Sequence, residues 1–497
     1  MDITQQTLDA LKMALGSPNN DIAKTVSTAT GLVAYDLQAP AKNLVPINTP
    51  IRNRIPRVGG GLGTATNWKV IQALTGSGFD AMGWVPEGQR TARMSYTAVN
   101  KSASYMTIGE EDQVTFEAIN AGRTFEDVRA SGTMRVLQKM MLKEENALLF
   151  GNKSIALGTP VTPTLSAAGS GATLPTLTYS VIAVALTGEG FRGSSIANGI
   201  PLSTTFTGAD GQTYTLNGGS SIKSAAGSQA VTLGQVLSCN TTAIPGAMGY
   251  AWFVGAGGSE KLEAITTINS VTFSLPLLGT GMTAASVTAG DKSLNASLAF
   301  DGLISSALIG GSGAYIQTFA TGTPGTGTKL TASGRGTVTE IDTMLYTMWN
   351  NYQVSPTILY MNAQQLQDVS SKCLTGASGA PLLQIFTPPG GGYESLLAGG
   401  VIGYYFNPFA MNGGIKIPVM IHPSLPAGTI IGWCEDLPMQ YKSNNVPNVA
   451  EVKVRQDYYQ IDWPLRTRAQ EFGVYAEEVL AVYAPFALGL ITNIAPG

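Results

Sequence analysis

The sequence predicts an α+β protein that is interrupted by an all-β insertion. A stretch near residues 124–151 has helical periodicity. Short Thr- and Val-rich runs separated by glycines follow, and strand and helix patterns alternate again after residue 295. At about 150 residues per domain, 497 residues are enough for two to four domains with a large core.

The composition is poor in charge and rich in glycine. Charged residues make up 12% of the chain, against about 25% in an average soluble domain, and 59 residues are glycine. A weakly charged surface has little electrostatic repulsion against self-association, so we expect faces that are covered by other copies. The net charge of −3 argues against a simple nucleic-acid or anionic-membrane binder, because phosphate contacts need clustered Lys and Arg.

The cysteines and the single histidine limit the chemistry that the chain could perform. Cys239, Cys373 and Cys434 are far apart and form no CxxC pair, so neither a disulfide framework nor a zinc site is indicated, and a reducing compartment fits best. His422 lies between the apolar run IKIPVMI and a turn, where we expect a structural strand-end histidine. We therefore predict no enzyme, no catalytic residue, no cofactor site and no metal site.

The N-terminal region predicts a helix and then an extended arm. Residues 2–15 have Leu8, Leu11 and Leu15 on one helical face, and no signal peptide or membrane span is expected. Prolines then recur every four to six residues, at positions 40, 46, 50 and 56. This spacing excludes both a helix and a central strand, so we expect an arm that buries little against its own domain and contacts another subunit.

A long hairpin and a long helix are predicted next. Strand patterns over 67–74 and 94–107 flank the turn-rich tip TGSGFDAMGWVPEGQRTA. The helix follows, with Thr124 as the expected N-cap, Asp127 three residues later and Gly151 as the C-terminal stop. Its expected apolar face consists of Met134, Leu137, Met141 and Leu148.

The all-β insertion is predicted over residues 156–294. From Ile155 to Ser259 the charged residues are Glu189, Arg192, Asp210 and Lys223, and the runs TYSVIAVALTGEG, TTFTGAD, QTYTLNGG, QAVTLGQVL and GYAWFVG alternate with glycine turns. We expect Tyr250, Trp252 and Phe253 to lie in a sandwich core, with a binding face as the less favoured alternative.

The C-terminal part predicts an α+β domain. A Gly/Thr linker (ATGTPGTGTKLTASGRGT) precedes the helix TVTEIDTMLYTMWNNY, the strand PTILYM, and a helix with Asn362 as its N-cap. Three further strands follow in GGVIGYYFN, IKIPVMIHP and AGTIIGWCE. The last 50 residues predict long strands, with a short helical turn near AEEVLA.

Two groups of residues are candidate chemical sites. The segment GTPGTGTK at 322–329 lacks the Gly-Lys-Ser/Thr order of a phosphate-binding loop, so a flexible linker is expected. Acidic residues form pairs that could supply acid–base chemistry, but we expect charge at element ends and on a solvated helix face; they are Glu110, Glu111, Asp112, Glu144 and Glu145.

The order of these parts resembles the major capsid proteins of tailed bacteriophages, with the Hong Kong 97-like fold. The resemblance is carried by AYDLQAPAKNLVPINTPIRNRIPR, the 67–107 hairpin, the helix ending in EENALLFGN, FDGLI, and QDYYQIDWPL with EFGVYAEEVLAVYAP. It implies an N-terminal helix and arm (1–55), an extended loop (56–112), a spine helix of a peripheral domain (113–155), an axial domain (295–445) and C-terminal peripheral strands (446–497). The insertion at 156–294 resembles an immunoglobulin-like sandwich.

The resemblance implies a shell protein of the virion, assembled in the host cytoplasm as hexamers and pentamers. Its implied partners are other copies of itself, portal and scaffolding proteins, optional decoration proteins, and double-stranded DNA that is packaged without sequence-specific contact; no membrane is implied. Some relatives crosslink a loop lysine to an asparagine, but Lys69 and Lys101 are not at the hairpin tip, so surface contacts are favoured. The alternatives are an encapsulin-type nanocompartment shell and a β-rich surface adhesin.

Overall fold

The computed structural model describes residues 44–76, 84–91, 93–123, 126–208, 210–334, 336–375, 402–410, 413–442, 444, 446 and 448–497. The helix predicted over residues 2–15 and much of the predicted arm lie outside these residues. The described residues combine helices and sheets, which confirms the α+β class.

The helices and strands occur in the following order. The helices are α1 (Phe116–Gly122), α2 (Val128–Phe150), α3 (Gly188–Gly193), α4 (Leu303–Leu308), α5 (Thr339–Tyr352), α6 (Ala363–Thr375) and α7 (Met439–Lys442), and short 3-10 turns cover Ala284–Ser286 and Pro485–Ala487. The first strands are β1 (Arg57–Val58), β2 (Ala65–Thr75), β3 (Ser95–Ser104) and β4 (Met106–Thr115). Within 156–294 the strands are β5 (Thr164–Ala172), β6 (Leu177–Leu186), β7 (Ser203–Thr207), β8 (Thr213–Asn217), β9 (Gly227–Val231), β10 (Gly234–Asn240), β11 (Gly249–Gly255), β12 (Lys261–Thr266) and β13 (Ser270–Phe273). The remaining strands are β14 (Tyr315–Thr318), β15 (Ile358–Met361), β16 (Tyr404–Asn407), β17 (Ile415–Ile421), β18 (Ile430–Trp433), β19 (Ala450–Asp462), β20 (Ala469–Val482) and β21 (Leu488–Thr492).

The first sheet has the order β1-β19-β20-β4, and β2 and β3 form a separate antiparallel hairpin. The strand predicted over 94–107 is wrong in one respect, because it divides at Tyr105. The Tyr105 N–H donates to the Thr64 carbonyl at 3.0 Å, which closes the root of the hairpin. The chain then leaves the hairpin and pairs as β4 with β20.

The last part of the arm packs on the chain's own core, contrary to the prediction. Ile51 and Ile55 are 0% and 3% exposed. The Ile55 N–H donates to the Ile51 carbonyl, so this Pro-flanked segment forms a tight turn whose two isoleucines point inward. The next residues add β1 to the sheet edge in parallel to β19, with Arg57 opposite Val452. An edge position fits a strand that follows a proline.

Helix α2 packs along the first sheet. It begins after Asp127, whose side chain accepts the backbone N–H groups of Arg129 and Ala130, whereas Thr124 lies outside the described residues. The predicted apolar face is wrong at Met134, which is 57% exposed. The buried stripe is Gly132, Val136, Met140, Glu144 and Leu148. Gly132 permits the Phe472 ring of β20 to approach the helix, which rotates the buried stripe away from Met134.

Two antiparallel sheets make up most of the insertion. Their orders are β13-β10-β5 and β12-β11-β6-β9, and side chains from both sheets share one core that includes Val181, Leu237 and Trp252. β5 and β12 were not predicted from the sequence, because the glycines of β5 and the charged residues of β12 mask their strand pattern. The other face of β6 and β11 is also covered, by Ile200, Ala284 and Val287 among others. Burial on both faces explains the uninterrupted apolar runs in these strands.

The two ends of the insertion meet. The Asn295 N–H donates to the Asn152 carbonyl at 2.8 Å, and the Asn152 side chain donates to the Ser293 carbonyl at 2.7 Å. The insertion also docks on the C-terminal strand through a buried amide pair. Asn269 donates its backbone N–H to Asn493 Oδ1, and Asn493 Nδ2 donates to Asn269 Oδ1, both at 2.9 Å.

The C-terminal part contains a six-stranded sheet with the order β14-β21-β18-β15-β17-β16. One face packs against α5 and α6, and the other packs toward the first sheet, so that each face has its own core. The predicted N-cap is confirmed, since Asn362 Oδ1 accepts the Gln364 N–H. The helical turn predicted near AEEVLA is wrong, because residues 476–481 lie within β20. Residues 477–481 pair with β19 and residues 476–478 also pair with β4, which overrides their helix propensity.

Candidate assembly surface

The described residues contain no cluster suited to metal chemistry. Among them, no group of three or more His, Cys, Asp or Glu side chains is arranged to hold a metal ion. Burial raises the pKa of Cys239 and of Cys434 to about 12 and that of Cys373 to about 11, so all three remain protonated thiols. In the same part of the chain no helix is both long and apolar enough to span a membrane.

The glycine-rich segment at 322–329 is a packed turn, so the expectation of a flexible linker is wrong. Gly327 donates its N–H to the Thr323 carbonyl, and Gly325 donates to Ser270 Oγ on β13 at 3.0 Å. These N–H groups are therefore engaged within the protein and do not form a cradle for phosphate. Residues 322–329 instead connect the insertion, through Ser270, to the C-terminal part of the chain.

The acidic residues of β4 form surface pairs, as expected. Glu110 pairs with Lys143 of α2, and Asp112 lies 3.8 Å from Arg135. Tyr475 donates its hydroxyl to Glu111. These contacts connect β4 to its neighbouring helix and strand.

Glu144 and Glu145 are buried, so the prediction of a solvated helix face is wrong for both. Their side chains are 0% and 1% exposed. Glu145 accepts the backbone N–H groups of Ile51 and Arg52 at 3.0 and 2.7 Å, and it also accepts a bond from His422. Glu144 pairs with the side chains of Arg52 and Arg57. The helix thus uses two carboxylates to hold the arm in place.

A third buried carboxylate, Glu478 on β20, completes this cluster. It lies 3.1 Å from the Arg57 guanidinium and is 0% exposed. Burial, together with the neighbouring Glu144 carboxylate, raises the pKa of Glu478 to about 8. The cluster was not predicted, because its arginines lie 87 or more residues from its carboxylates in the chain. The one sequence feature that pointed to this cluster is the series of arginines among the prolines of the arm.

His422 has a structural place in the same region. Its Nδ1 accepts the Ser424 N–H at 3.1 Å, so Nε2 carries the proton that is donated to Glu145. The ring is fully buried and packs edge-on against Tyr360. Both ring nitrogens are therefore occupied by protein groups.

The hairpin presents several large apolar side chains that are exposed. Trp84 is 89% exposed, Leu74 67% and Tyr96 56%, with Ile71 and Met94 at 59% and 66%. β2 and β3 pair with each other, and among the described residues no other strand extends this two-stranded sheet. Isolated two-stranded hairpins are marginally stable in water, so this surface favours a partner. Upstream of it, Leu44 and Leu62 are 91% and 85% exposed.

The two hairpin lysines lie on its strands, away from the tip. Lys69 places its ammonium 5.7 Å from the centre of the Tyr96 ring. Lys101 stands opposite Trp68 near the hairpin root and lines a cavity there. The aromatic residues of the insertion, by contrast, are not at a surface. Tyr250, Trp252 and Phe253 are at most 1% exposed. Tyr250 and Trp252 lie in the core between the two sheets, as predicted, whereas Phe253 is buried on the other face of β11.

Comparison with known proteins finds similarity at the level of solved structures. No protein-family model and no curated protein sequence matches the chain. The capsid of a native GTA particle has a TM-score of 0.42 and 10% identity, and the match covers 95% of this chain and 99% of that one. The cyanophage A-1(L) capsid has a TM-score of 0.42 and 11% identity over the same shares. The holo-SrpI encapsulin of Synechococcus elongatus PCC 7942 has a TM-score of 0.38 and 8% identity over 92% and 93%. Each of these matches extends over nearly the whole length of this chain.

Proposed function

We propose that this chain is a major capsid protein that assembles into the closed shell of a tailed bacteriophage. The observation that carries the proposal is the hairpin, which projects large apolar side chains and has no partner strand among the described residues. In an isolated monomer these apolar side chains would stay exposed to water, whereas in a shell of identical subunits a neighbour covers them in every copy.

The proposal includes the Hong Kong 97-like arrangement of the chain. In it, the hairpin is the extended loop, α2 is the spine helix of a peripheral domain, and the six-stranded sheet is the core of the axial domain. The insertion over 156–294 is an immunoglobulin-like domain. Its two antiparallel sheets and its buried Trp252 support that assignment.

The partners belong to the same proposal. Copies of the chain form hexamers and pentamers, which enclose double-stranded DNA without sequence-specific contact and associate with portal and scaffolding proteins. A net charge of −3 supports enclosure over phosphate binding. Assembly takes place in the host cytoplasm, and the three free, buried cysteines suit a reducing compartment.

Expression of the full chain followed by light scattering and negative-stain electron microscopy tests the proposal. We expect closed shells of uniform size. A monodisperse monomer of 51.8 kDa at every salt and crowding condition would contradict it. Particles that are purified from the expressing cells and contain host enzymes but no DNA would favour the encapsulin-type nanocompartment shell instead.

A pair of matched variants tests whether the hairpin is the assembly surface. Leu74 and Tyr96 are cross-strand partners, so Leu74→Lys with Tyr96→Lys places two charges on one hairpin face. We expect this variant to fold and to lose shells. Leu233→Lys with Leu275→Lys is the control, because these residues are 72% and 68% exposed on the insertion. Equal assembly of both variants would exclude the hairpin as an interface.

A further inference from the structure

A cavity of about 450 Å³ lies where the hairpin meets the rest of the chain. Trp68 and Lys101 of the hairpin line it, together with Tyr352 and Phe486 from the rest of the chain. The two rings of Tyr352 and Phe486 stack with their centres 4.7 Å apart and form an aromatic wall. This hairpin-root cavity has the volume of a typical ligand site.

The hairpin-root cavity holds two ammonium groups without a carboxylate partner and one buried neutral donor without an acceptor in the part of the chain that the structure describes. Among the described residues, neither Lys101 nor Lys153 has a carboxylate partner, and Lys153 Nζ donates to Ser104 Oγ at 3.2 Å. The indole N–H of Trp68 is buried and lacks an acceptor in the same part of the chain. Asp301, the acid of the cavity, already accepts the N–H groups of Lys153 and Ser154. A ligand with a carboxylate would satisfy these donors, and an apolar group beside that carboxylate could pack against the aromatic rings.

The hairpin tip has this combination of groups. Residues 84–89, the tip turn, have the sequence Trp-Val-Pro-Glu-Gly-Gln, and the Gln89 N–H donates to the Pro86 carbonyl at 3.1 Å. Trp84 is 89% exposed and Glu87 is exposed at the corner of the turn. Among the described residues, Glu87 has no cationic partner. The tip turn therefore presents an aromatic side chain and a carboxylate side by side.

The tip turn does not occupy the cavity of its own chain, because Trp84 is exposed. β2 has 11 residues, which at about 3.3 Å per residue separates the tip end of the hairpin from its root by about 35 Å. A contact between the two therefore joins one copy to another in a head-to-tail manner. Head-to-tail contacts between identical subunits close into rings when the rotation between them permits.

We propose that the tip turn of one subunit inserts into the hairpin-root cavity of a second subunit. In this contact Glu87 pairs with Lys101 and Lys153 of the neighbour, and Trp84 packs against the wall formed by Tyr352 and Phe486. The inference rests on the proposed shell function and specifies which surface of the neighbouring copy receives the hairpin.

Disulfide trapping tests the contact directly. Glu87→Cys combined with Lys101→Cys should give, under oxidation, covalent multimers of the 51.8 kDa chain in non-reducing gels. The native cysteines are buried and do not compete. Glu87→Cys with Ser259→Cys is the matched control, since Ser259 is exposed on the insertion, and it should give no ladder. A ladder of equal yield from both pairs, or from neither, would overturn the inference.

Charge exchange provides a second readout. Glu87→Lys and Lys101→Glu alone should each raise the concentration needed for assembly about tenfold, and the double variant should restore it. Arg90→Glu, on the same exposed segment, should change it by less than about twofold. Single variants that assemble like the unaltered chain would overturn the contact while leaving the shell function intact. Failure of the unaltered chain to assemble would instead contradict the proposed function, and with it the contact.

Discussion

His422 Nε2 donates a hydrogen bond of 2.7 Å to Glu145 Oε1, and both side chains are buried. This bond joins the end of β17 to the last turns of α2. The same carboxylate accepts two backbone N–H groups of the arm, so one residue connects three segments that are distant in sequence. The single histidine of the chain is thus part of a structural connection.

Glu145→Ala should destabilise the subunit by about 3–5 kcal/mol, because the change leaves three buried donors without an acceptor. Urea unfolding of unassembled subunits measures the loss. Glu117→Ala is the control, since Glu117 and its partner Arg468 are 60% and 83% exposed, and we expect a change below about 1 kcal/mol. Equal effects of the two substitutions would contradict the role of Glu145.

Glu478 should make the subunit less stable as the pH rises. Its pKa of about 8 in the folded chain lies above the ordinary value of about 4.3, so the folded chain binds an additional proton between these values. The resulting stability is fully present below about pH 4.3 and is lost by about 1.4 kcal/mol per unit as the pH rises toward 8.

Glu478→Gln removes the ionisation and keeps the shape, so the variant should be more stable than the unaltered chain at pH 8, and the difference should be several times smaller at pH 5. Unfolding free energies measured between pH 5 and 8 test this. The groups around Glu478 are Glu144, Arg57 and Arg52, and none of them changes in the variant. Identical pH slopes for both proteins would show that Glu478 does not titrate in this range.

The insertion should fold by itself. A fragment of residues 156–294 should give β-type circular dichroism and a cooperative melt, because its two sheets share one core. Within the fragment, Trp252→Ala should cost about 3–5 kcal/mol. Leu233→Ala should have little effect, since Leu233 is 72% exposed. An unfolded fragment would show that the sandwich depends on the rest of the chain.

Removal of the insertion should leave a chain that still assembles but is less stable. Joining Lys153 to Ser297 through a short Gly/Ser linker is geometrically reasonable, because Asn152 and Asn295 are already hydrogen-bonded. The cost arises at Asn493, which loses its two bonds to Asn269. Thermal melts and electron microscopy test both expectations. A deleted chain that folds but forms no shells would make the insertion part of the shell wall.

Deletion of residues 76–92 should preserve folding and abolish or weaken shells. Residues 84–91 of this segment are exposed, so few buried contacts are lost. Cooperative unfolding, followed by circular dichroism, reports on the subunit, and light scattering reports on assembly. A deletion that prevents folding of the isolated subunit would place the segment in its own core.

The sequence by itself determined the elements whose pattern is local. The α5 helix, the Asn362 N-cap, the hairpin and the glycine-punctuated strands of the insertion follow from periodicity and turn residues, and each depends on neighbours in the chain. The core placement of Trp252 was also predicted, because uncharged apolar runs have few alternatives to burial. Local patterns in this chain specify secondary structure and the order of its parts.

Only the tertiary structure decided which faces are buried and which distant residues meet. The buried stripe of α2 includes Met140 and excludes the predicted Met134, because Phe472 of β20 packs against Gly132. Residues 476–481 form strand because they pair with β19 and, at their start, also with β4. The sequence predicted that Glu144 and Glu145 are exposed to solvent, since burial of an isolated carboxylate is costly. Their burial depends on arginines, a histidine and backbone donors that the fold brings from 87 to 277 residues away. No local pattern encodes such partners, because the compensating charges and donors become neighbours only when the sheets pack.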